Sequence, residues 1–378
     1  MSECKYEFEG LRGVGRVELN FVPEQQVYAL FGVNGVGKTK CLEALFQYYL
    51  LSCEPFMTQT RMPLGGDFYV ASRLKSALNE FLVMSSLPKG IINSGPQLRP
   101  MQGHSLPVVF LAAGERGHIP SEHAKSGLAV GTFEHRRKRY FDSIVTGMRE
   151  HFSSLGMHTD LEQWFVTLAQ SINPYQKLGD SRKVELDTLL QALHQIDERY
   201  DPSFMEIDGD NRVFLKVAGI PTELRNLSTG FTSLVKMLQA IISGYANFTN
   251  EVSLTRVRGV VFIDEIESHL HVKWQSSIVV LLKKLFPNTT FFIATHSPIV
   301  LSQLHSGEAY LLKRGDDGVV HSQPIENPDK RILADVLAEV LDVNLNHLKV
   351  ERMTPESQKD AKAQLLDLLN AGGGAPNA

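Results

Sequence analysis

Polar and apolar positions alternate from the N-terminus to about residue 31 and close on Val27-Tyr28-Ala29-Leu30-Phe31. That run has the length and β-branched or aromatic content of a buried strand. A glycine-rich stretch, Gly32 to Gly37, follows at once. Beyond it Cys41, Leu42, Ala44, Leu45, Tyr48 and Tyr49 recur at helical spacing, which predicts strand, glycine loop and helix in that order. Three more short apolar runs, Val108–Leu111, Val260–Ile263 and Thr290–Ile293, predict central parallel strands. From about 120 to 200 the period changes to that of amphipathic helices. Phe141, Ile144, Met148 and Phe152 share one face, and Leu186, Leu189, Leu190, Leu193 and Ile196 share another. Phe204 to Ala218 predicts a hairpin that turns at Asp208-Gly209-Asp210-Asn211. A strand over Ala309 to Leu312, a helix over about 330–342 and a glycine-rich flexible tail complete the pattern. No internal repeat is evident.

The expectation is an α/β fold, a mostly parallel sheet with flanking helices and an α-helical insertion. Residues 1–119 and 204–350 form the two parts of one core, 120–203 the insertion, and 351–378 a C-terminal helix and tail.

With 378 residues and 43% hydrophobic content, the chain can bury a large core, which excludes a disordered or collagen-like protein. A formal net charge of -4 confines any nucleic-acid contact to a local patch. The N-terminal segment is acidic and carries no apolar run, and no stretch of about 18 apolar residues follows. Three cysteines, Cys4, Cys41 and Cys53, stand outside metal-ligand spacing. These features predict a cytoplasmic protein, neither secreted nor membrane-spanning.

The chemistry begins with Gly32-Val33-Asn34-Gly35-Val36-Gly37-Lys38-Thr39, which fits G-x4-G-K-[ST]. Glycines let backbone N–H groups curl around phosphates, a lysine reaches the outer ones and a hydroxyl ligates Mg2+. Asn34, Gly35, Gly37, Lys38, Thr39 and Lys40 are therefore the candidate ATP contacts. The apolar run Val260–Ile263 ends in two carboxylates. Asp264 suits magnesium, and Glu265 suits polarising an attacking water. Leu227-Ser228-Thr229-Gly230-Phe231, followed by Leu234, Met237, Leu238 and Ile241, places Ser228 and Gly230 at a helix N-terminus, where donors face a phosphate. Ala294-Thr295-His296-Ser297-Pro298 presents His296 just past a strand, as a sensor of the γ-phosphate.

In their order, GVNGVGKT, LSTGF, FIDEIESHLH and FIATHSP resemble the ABC-type ATPases related to OLD, RecF and SMC proteins, over about residues 5–315. The phrase DEIESHLH followed by ATHSP looks most like compact bacterial antiphage ATPases, such as OLD, the PtuA subunit of Septu and retron-associated ATPases. The resemblance implies ATP hydrolysis with Mg2+ held by Thr39 and Asp264, and a homodimer in which Ser228 and Gly230 of one chain cap the other's ATP. It also implies control of a separate effector chain, a nuclease or toxin. Arg12 is similar in placement to an arginine that relatives use near the phosphates. Arg116, in Gly114-Glu115-Arg116, stands where relatives carry an arginine beside the crevice, as a nucleotide contact, a link to the insertion or a structural ion pair.

Other features weigh less. No glutamine among Gln59, Gln97 and Gln102 sits in a recognisable Q-loop context. His269 and His271 lack further ligands at metal spacing. The run His135-Arg136-Arg137-Lys138-Arg139, beside Tyr140 and Phe141, could follow a nucleic-acid backbone through Arg136, Arg137, Lys138 and Arg139, meet an acidic partner, or form a solvated helix face. Asp316 and Asp317 sit in a turn and make no nuclease site of the OLD type. A RecF-like repair ATPase and a transporter nucleotide-binding subunit are the alternatives. The latter predicts a Q-loop and a shorter path than the roughly 190 residues between Lys38 and Ser228.

Overall fold

The computed structural model describes residues 4–62, 68–82, 100–117, 119, 131–150, 152–172 and 182–330. In chain order the first elements are β1 (Cys4–Leu11), β2 (Gly15–Phe21), β3 (Val27–Phe31), α1 (Lys38–Leu51), α2 (Glu54–Gln59), β4 (Arg73–Ser76), β5 (Glu80–Leu82) and β6 (Val108–Leu111). Next come α3 (Phe133–Glu150), α4 (Leu161–Ser171), α5 (Lys183–Ile196), β7 (Tyr200–Ile207), β8 (Val213–Val217), β9 (Ile220–Glu223) and α6 (Thr229–Phe248). The remainder is β10 (Gly259–Ile263), α7 (Val272–Gln275), α8 (Ile278–Leu285), β11 (Thr289–Ala294), α9 (Pro298–Leu301), β12 (Ala309–Arg314) and β13 (Val320–Pro324).

One sheet runs β5-β4-β1-β2-β13-β12-β3-β11-β10-β6. Its strands β12, β3, β11, β10 and β6 are mutually parallel, and each apolar run of the sequence lies among them. Alternate residues face opposite layers. Tyr28 and Leu30 of β3, Val108 and Phe110 of β6, Val260 and Phe262 of β10, and Phe292 of β11 join the core that α1 fills with Leu42, Leu45 and Phe46. On the other face Val109 packs so tightly on α6 that a Cβ at Gly244 would stand 2.5 Å from its Cγ2. The sheet is thus covered on both sides, and strands buried on both faces read as continuous apolar runs.

The other half adds antiparallel pairs to this mostly parallel sheet. β1 pairs antiparallel with β2 and β4, and β4 with β5. The alternation over residues 5–31 holds this hairpin, whereas β4 and β5 are too short to show a period. A separate antiparallel sheet, β7-β8-β9, contains the expected hairpin. The amphipathic stretch forms α3, α4 and α5, with Phe141, Ile144 and Met148 buried in the first and Leu186, Leu189, Leu190 and Leu193 in the last. Phe152 lies past the end of α3 yet still packs on Phe110, ring centroids 5.1 Å apart. From residue 331 onward, the helix expected over about 330–342 and the tail of 351–378 lie outside the described residues.

Candidate functional site

The parallel strands deliver the glycine loop, the two acids and the histidine to one edge of the sheet. Strand β3 ends at Phe31, and the chain then turns back into α1 through Gly37, whose φ of 106° lies in the left-handed region where glycine is favoured. A side chain there would also collide with Val14, its Cβ only 2.6 Å from a Val14 methyl. Asn34 and Gly35 are exposed at the loop tip. Lys38 is 5% exposed and donates from Nζ to the Gly32 carbonyl at 2.8 Å and the Val33 carbonyl at 3.0 Å. Burial lowers its pKa to about 8, against the opposing pull of Asp264, Glu267 and Glu265. The loop and the N-terminus of α1 leave backbone donors for phosphate, with one cation tethered beside them.

Strand β10 lies two strands from β3, and Asp264 at its end accepts a hydrogen bond from the Thr39 hydroxyl at 3.0 Å. Asp264 is 6% exposed, and desolvation pushes its pKa up to about 6 although the Thr39 hydrogen bond opposes that. A buried carboxylate and a hydroxyl in contact at a phosphate loop fit the oxygen-donor chemistry of Mg2+. Glu265 is half-buried and holds φ 43°, a left-handed conformation that costs a non-glycine residue about 1–2 kcal/mol. Its Ser268 neighbour closes the turn by donating its N–H to the Glu265 carbonyl at 2.8 Å.

Sequence reasoning missed Glu267, the residue that joins this turn to the histidine loop. Its carboxylate accepts from the Thr295 hydroxyl and from the His296 N–H, each at 2.6 Å. The signal was the further acid in DEIES, which no spacing rule distinguishes from a solvated turn. His296 itself is half-buried, and its pKa is lowered by burial and then by the Lys38 charge. A neutral imidazole near that lysine retains one ring nitrogen as an acceptor and one as a donor.

Ser228 caps α6, its hydroxyl accepting from the Phe231 N–H at 3.3 Å, and it is exposed. Gly230 is buried, and a Cβ there would stand 3.3 Å from both the His269 carbonyl and the His271 nitrogen. The signature turn and the segment after Glu265 are thereby packed together. Arg12 is exposed just after β1, close enough to Glu43 to favour its charge. The Lys40 ammonium pairs with Glu43 at 2.8 Å, so its backbone, more than its side chain, remains for a nucleotide.

Comparison with known proteins shows what the chain is similar to. Residues 171–302, which include Ser228, Asp264, Glu265 and His296, match the family described as "AAA domain, putative AbiEii toxin, Type IV TA system". The "Retron Vc95 probable ATPase" of Vibrio cholerae serotype O1 biovar El Tor is 25% identical over 252 residues, 56% of this chain and 49% of that protein. The chain is also similar to a Septu protein. For Septu, the protein PtuA of Bacillus mycoides (strain KBAB4) is 28% identical over 155 residues, 38% of this chain and 21% of the relative. The chain spans about half, or less, of the length of these curated relatives. A solved SmcHead bound to the C-winged helix domain of ScpA covers 86% of the chain and is itself covered to 98%, at 12% identity and a TM-score of 0.44.

Two sequence expectations are corrected by the structure. Arg116 enters neither the crevice nor an ion pair. It is fully buried and donates to the main-chain carbonyls of Asp264 at 2.7 Å, Glu265 at 2.8 Å, Ala112 at 2.8 Å and, at 3.3 Å, Leu111. The cause is local. Glu115 at φ 60° turns the chain so that the next side chain points inward. Burial lowers its pKa to about 10, which leaves it charged at neutral pH. The basic run of α3 does not act as one face either. Arg136 is 5% exposed and donates to the Gly131 carbonyl, while Arg137 binds Gln59 at 3.0 Å and Glu134 at 2.9 Å. A helix that packs one side on a core must turn some of five consecutive residues inward. His135, Lys138 and Arg139 remain exposed.

Of the possible Q-loop residues, Gln59 is held by Arg137, Gln102 is tied through its backbone to Asn79, and Gln97 lies outside the described residues. His271 caps α7 by accepting from the Lys273 N–H, and among the described residues no group of three His, Cys, Asp or Glu could hold a metal. No described helix is long and apolar enough to cross a membrane.

Proposed function

We propose that the chain binds and hydrolyses ATP with Mg2+ as the cytoplasmic ATPase subunit of an antiphage or DNA-surveillance complex, and controls a separate effector chain through ATP-dependent dimerisation. The observation that carries this reading is the contact between Thr39 and Asp264, which joins residues 225 positions apart beside a buried lysine at a phosphate loop. Mg2+, when bound, would neutralise charge on the phosphate oxygens. The loop amides and Lys38 would hold the phosphates, and Thr39 and Asp264 the cation. Glu265 would orient the attacking water and take its proton, with His296 beside the outer phosphate. Among the described residues, those up to 119 and 204–330 then serve as the two parts of the core, and those within 120–203 as its insertion.

The dimer is supported by Ser228, which is exposed at the N-terminus of a 20-residue helix and makes its hydrogen bond within that helix. Donors so placed suit an anion from a second chain. Nucleic acid, if contacted, would meet His135, Lys138 and Arg139.

Mixing two inactive variants tests the shared site. Lys38→Ala lacks the phosphate cation, and Ser228→Arg blocks the signature. A mixed dimer rebuilds one complete site while the other carries both defects. Partial recovery of ATPase activity is expected in the mixture and absent from either variant alone. Inactivity of the mixture, with mixed dimers shown to form, would remove the shared-site mechanism.

A further inference from the structure

Helix α6 carries more than the signature serine. Two turns beyond its N-terminus, Lys236 is 4% exposed and donates from Nζ to the Glu115 carbonyl at 3.0 Å. Burial works against that ammonium, while the nearby Glu115 and Asp160 carboxylates favour it. The carbonyl it grips belongs to the left-handed residue directly before Arg116, whose guanidinium holds the Asp264 and Glu265 carbonyls. The same turn is packed from the other side, since a Cβ on Gly117 would stand 3.0 Å from the His269 ring. One turn nearer the signature, the Ser233 hydroxyl donates to the Ser268 carbonyl at 3.3 Å. From α6 to the carboxylates there is thus a continuous set of polar contacts, none of which touches the phosphate loop.

We propose that the Glu115–Arg116 turn is a coupling element: Lys236 seats it on α6, and Arg116 acts as a positioning residue that fixes the backbone of Asp264 and Glu265. A guanidinium suits the task because its rigid planar fork offers five donors at fixed directions, whereas a lysine ammonium is a single point with three donors on a flexible stem. Glu265 sits in a left-handed conformation it would not hold unaided. A shift of α6 therefore moves the support under Glu265 and changes the aim of its carboxylate. This rests on the ATPase reading in one respect: Ser228 would meet the partner's nucleotide while Glu265 acts on its own, so the element would report one site to the other.

Two measurements test it. In the ligand-free chain, Lys236→Met should accelerate hydrogen exchange of the Asp264, Ile266 and Ser268 amides at least about fivefold, and Lys236→Arg should restore slow exchange. Unchanged exchange in Lys236→Met overturns the coupling whether or not the chain hydrolyses ATP. In turnover, Lys236→Met and Arg116→Lys should each lower kcat about tenfold, with KM within about twofold of wild type. The double variant should be no slower than Arg116→Lys alone, because both act through one turn. Losses that multiply, or a raised KM with kcat intact, refute the proposal. If Arg116→Lys does not fold, the Lys236 pair decides alone. A wild-type chain without ATPase activity would sink the functional reading and leave the exchange result to judge the coupling.

Discussion

Replacing Glu267 by alanine should loosen the join between the acidic turn and the histidine loop by an amount that can be worked out. The carboxylate accepts two hydrogen bonds at 2.6 Å, from the Thr295 hydroxyl and the His296 N–H. A hydrogen bond to a charged group contributes about 1.5–3 kcal/mol. Glu267 is half-buried, so water can recover part of this and the lower end applies. Thr295 is wholly buried and its oxygen already accepts from the Ser297 N–H at 3.0 Å, so its own proton would lose its partner. The two bonds together amount to roughly 3 kcal/mol. In a chain of this size about 2 °C of melting temperature corresponds to each kcal/mol, which predicts a fall of about 6 °C. Glu267→Gln retains one acceptor oxygen and should lose about half as much. Scanning calorimetry of the ligand-free chain at neutral pH provides the measurement. An alanine variant melting within about 1 °C of wild type, or a glutamine variant worse than alanine, would refute the reasoning.

Glu265→Gln should leave ATP bound but slow turnover at least roughly a hundredfold, because an amide of the same shape cannot take the water's proton. Calorimetric affinity and steady-state rate together check this, and near wild-type turnover would eliminate Glu265 as the base. Cys41 and Cys53 are buried, with burial pushing both thiols up to about 12. A thiol reagent at about pH 8 should therefore label at most Cys4 in the native chain and all three cysteines after denaturation. The same shift sets a sign. The folded state keeps these protons better than the unfolded one, so their contribution is complete below the ordinary thiol pKa of 9.0 and fades as pH rises towards about 12. A midpoint of denaturation that rises over that alkaline range would contradict it.

The phosphate loop, the acids after β10, the signature and the histidine were all legible in order, because each lies at the end of an apolar strand or the start of an apolar helix. Strands buried on both faces announce themselves as continuous runs, and parallel strands bring their C-terminal ends to one edge. Local sequence therefore determined the fold class and where the residues of the candidate site fall on its elements. It could not show that Thr39 and Asp264 meet, since strand order, β3 beside β11 and β11 beside β10, is set by packing among distant segments. Nor could it separate Arg116 and Arg136, which are buried, from Lys138 and Arg139, which are exposed. A charged residue is ordinarily at the surface, and only the tertiary fold supplies the carbonyls that make burial tolerable. Glu267 shows the same limit, because its role depends on β11 delivering Thr295 and His296 within 2.6 Å of a carboxylate nearly thirty residues earlier. Spacing along the chain encodes which face a residue takes within one element, while contacts between elements exist only once the sheet has chosen its order.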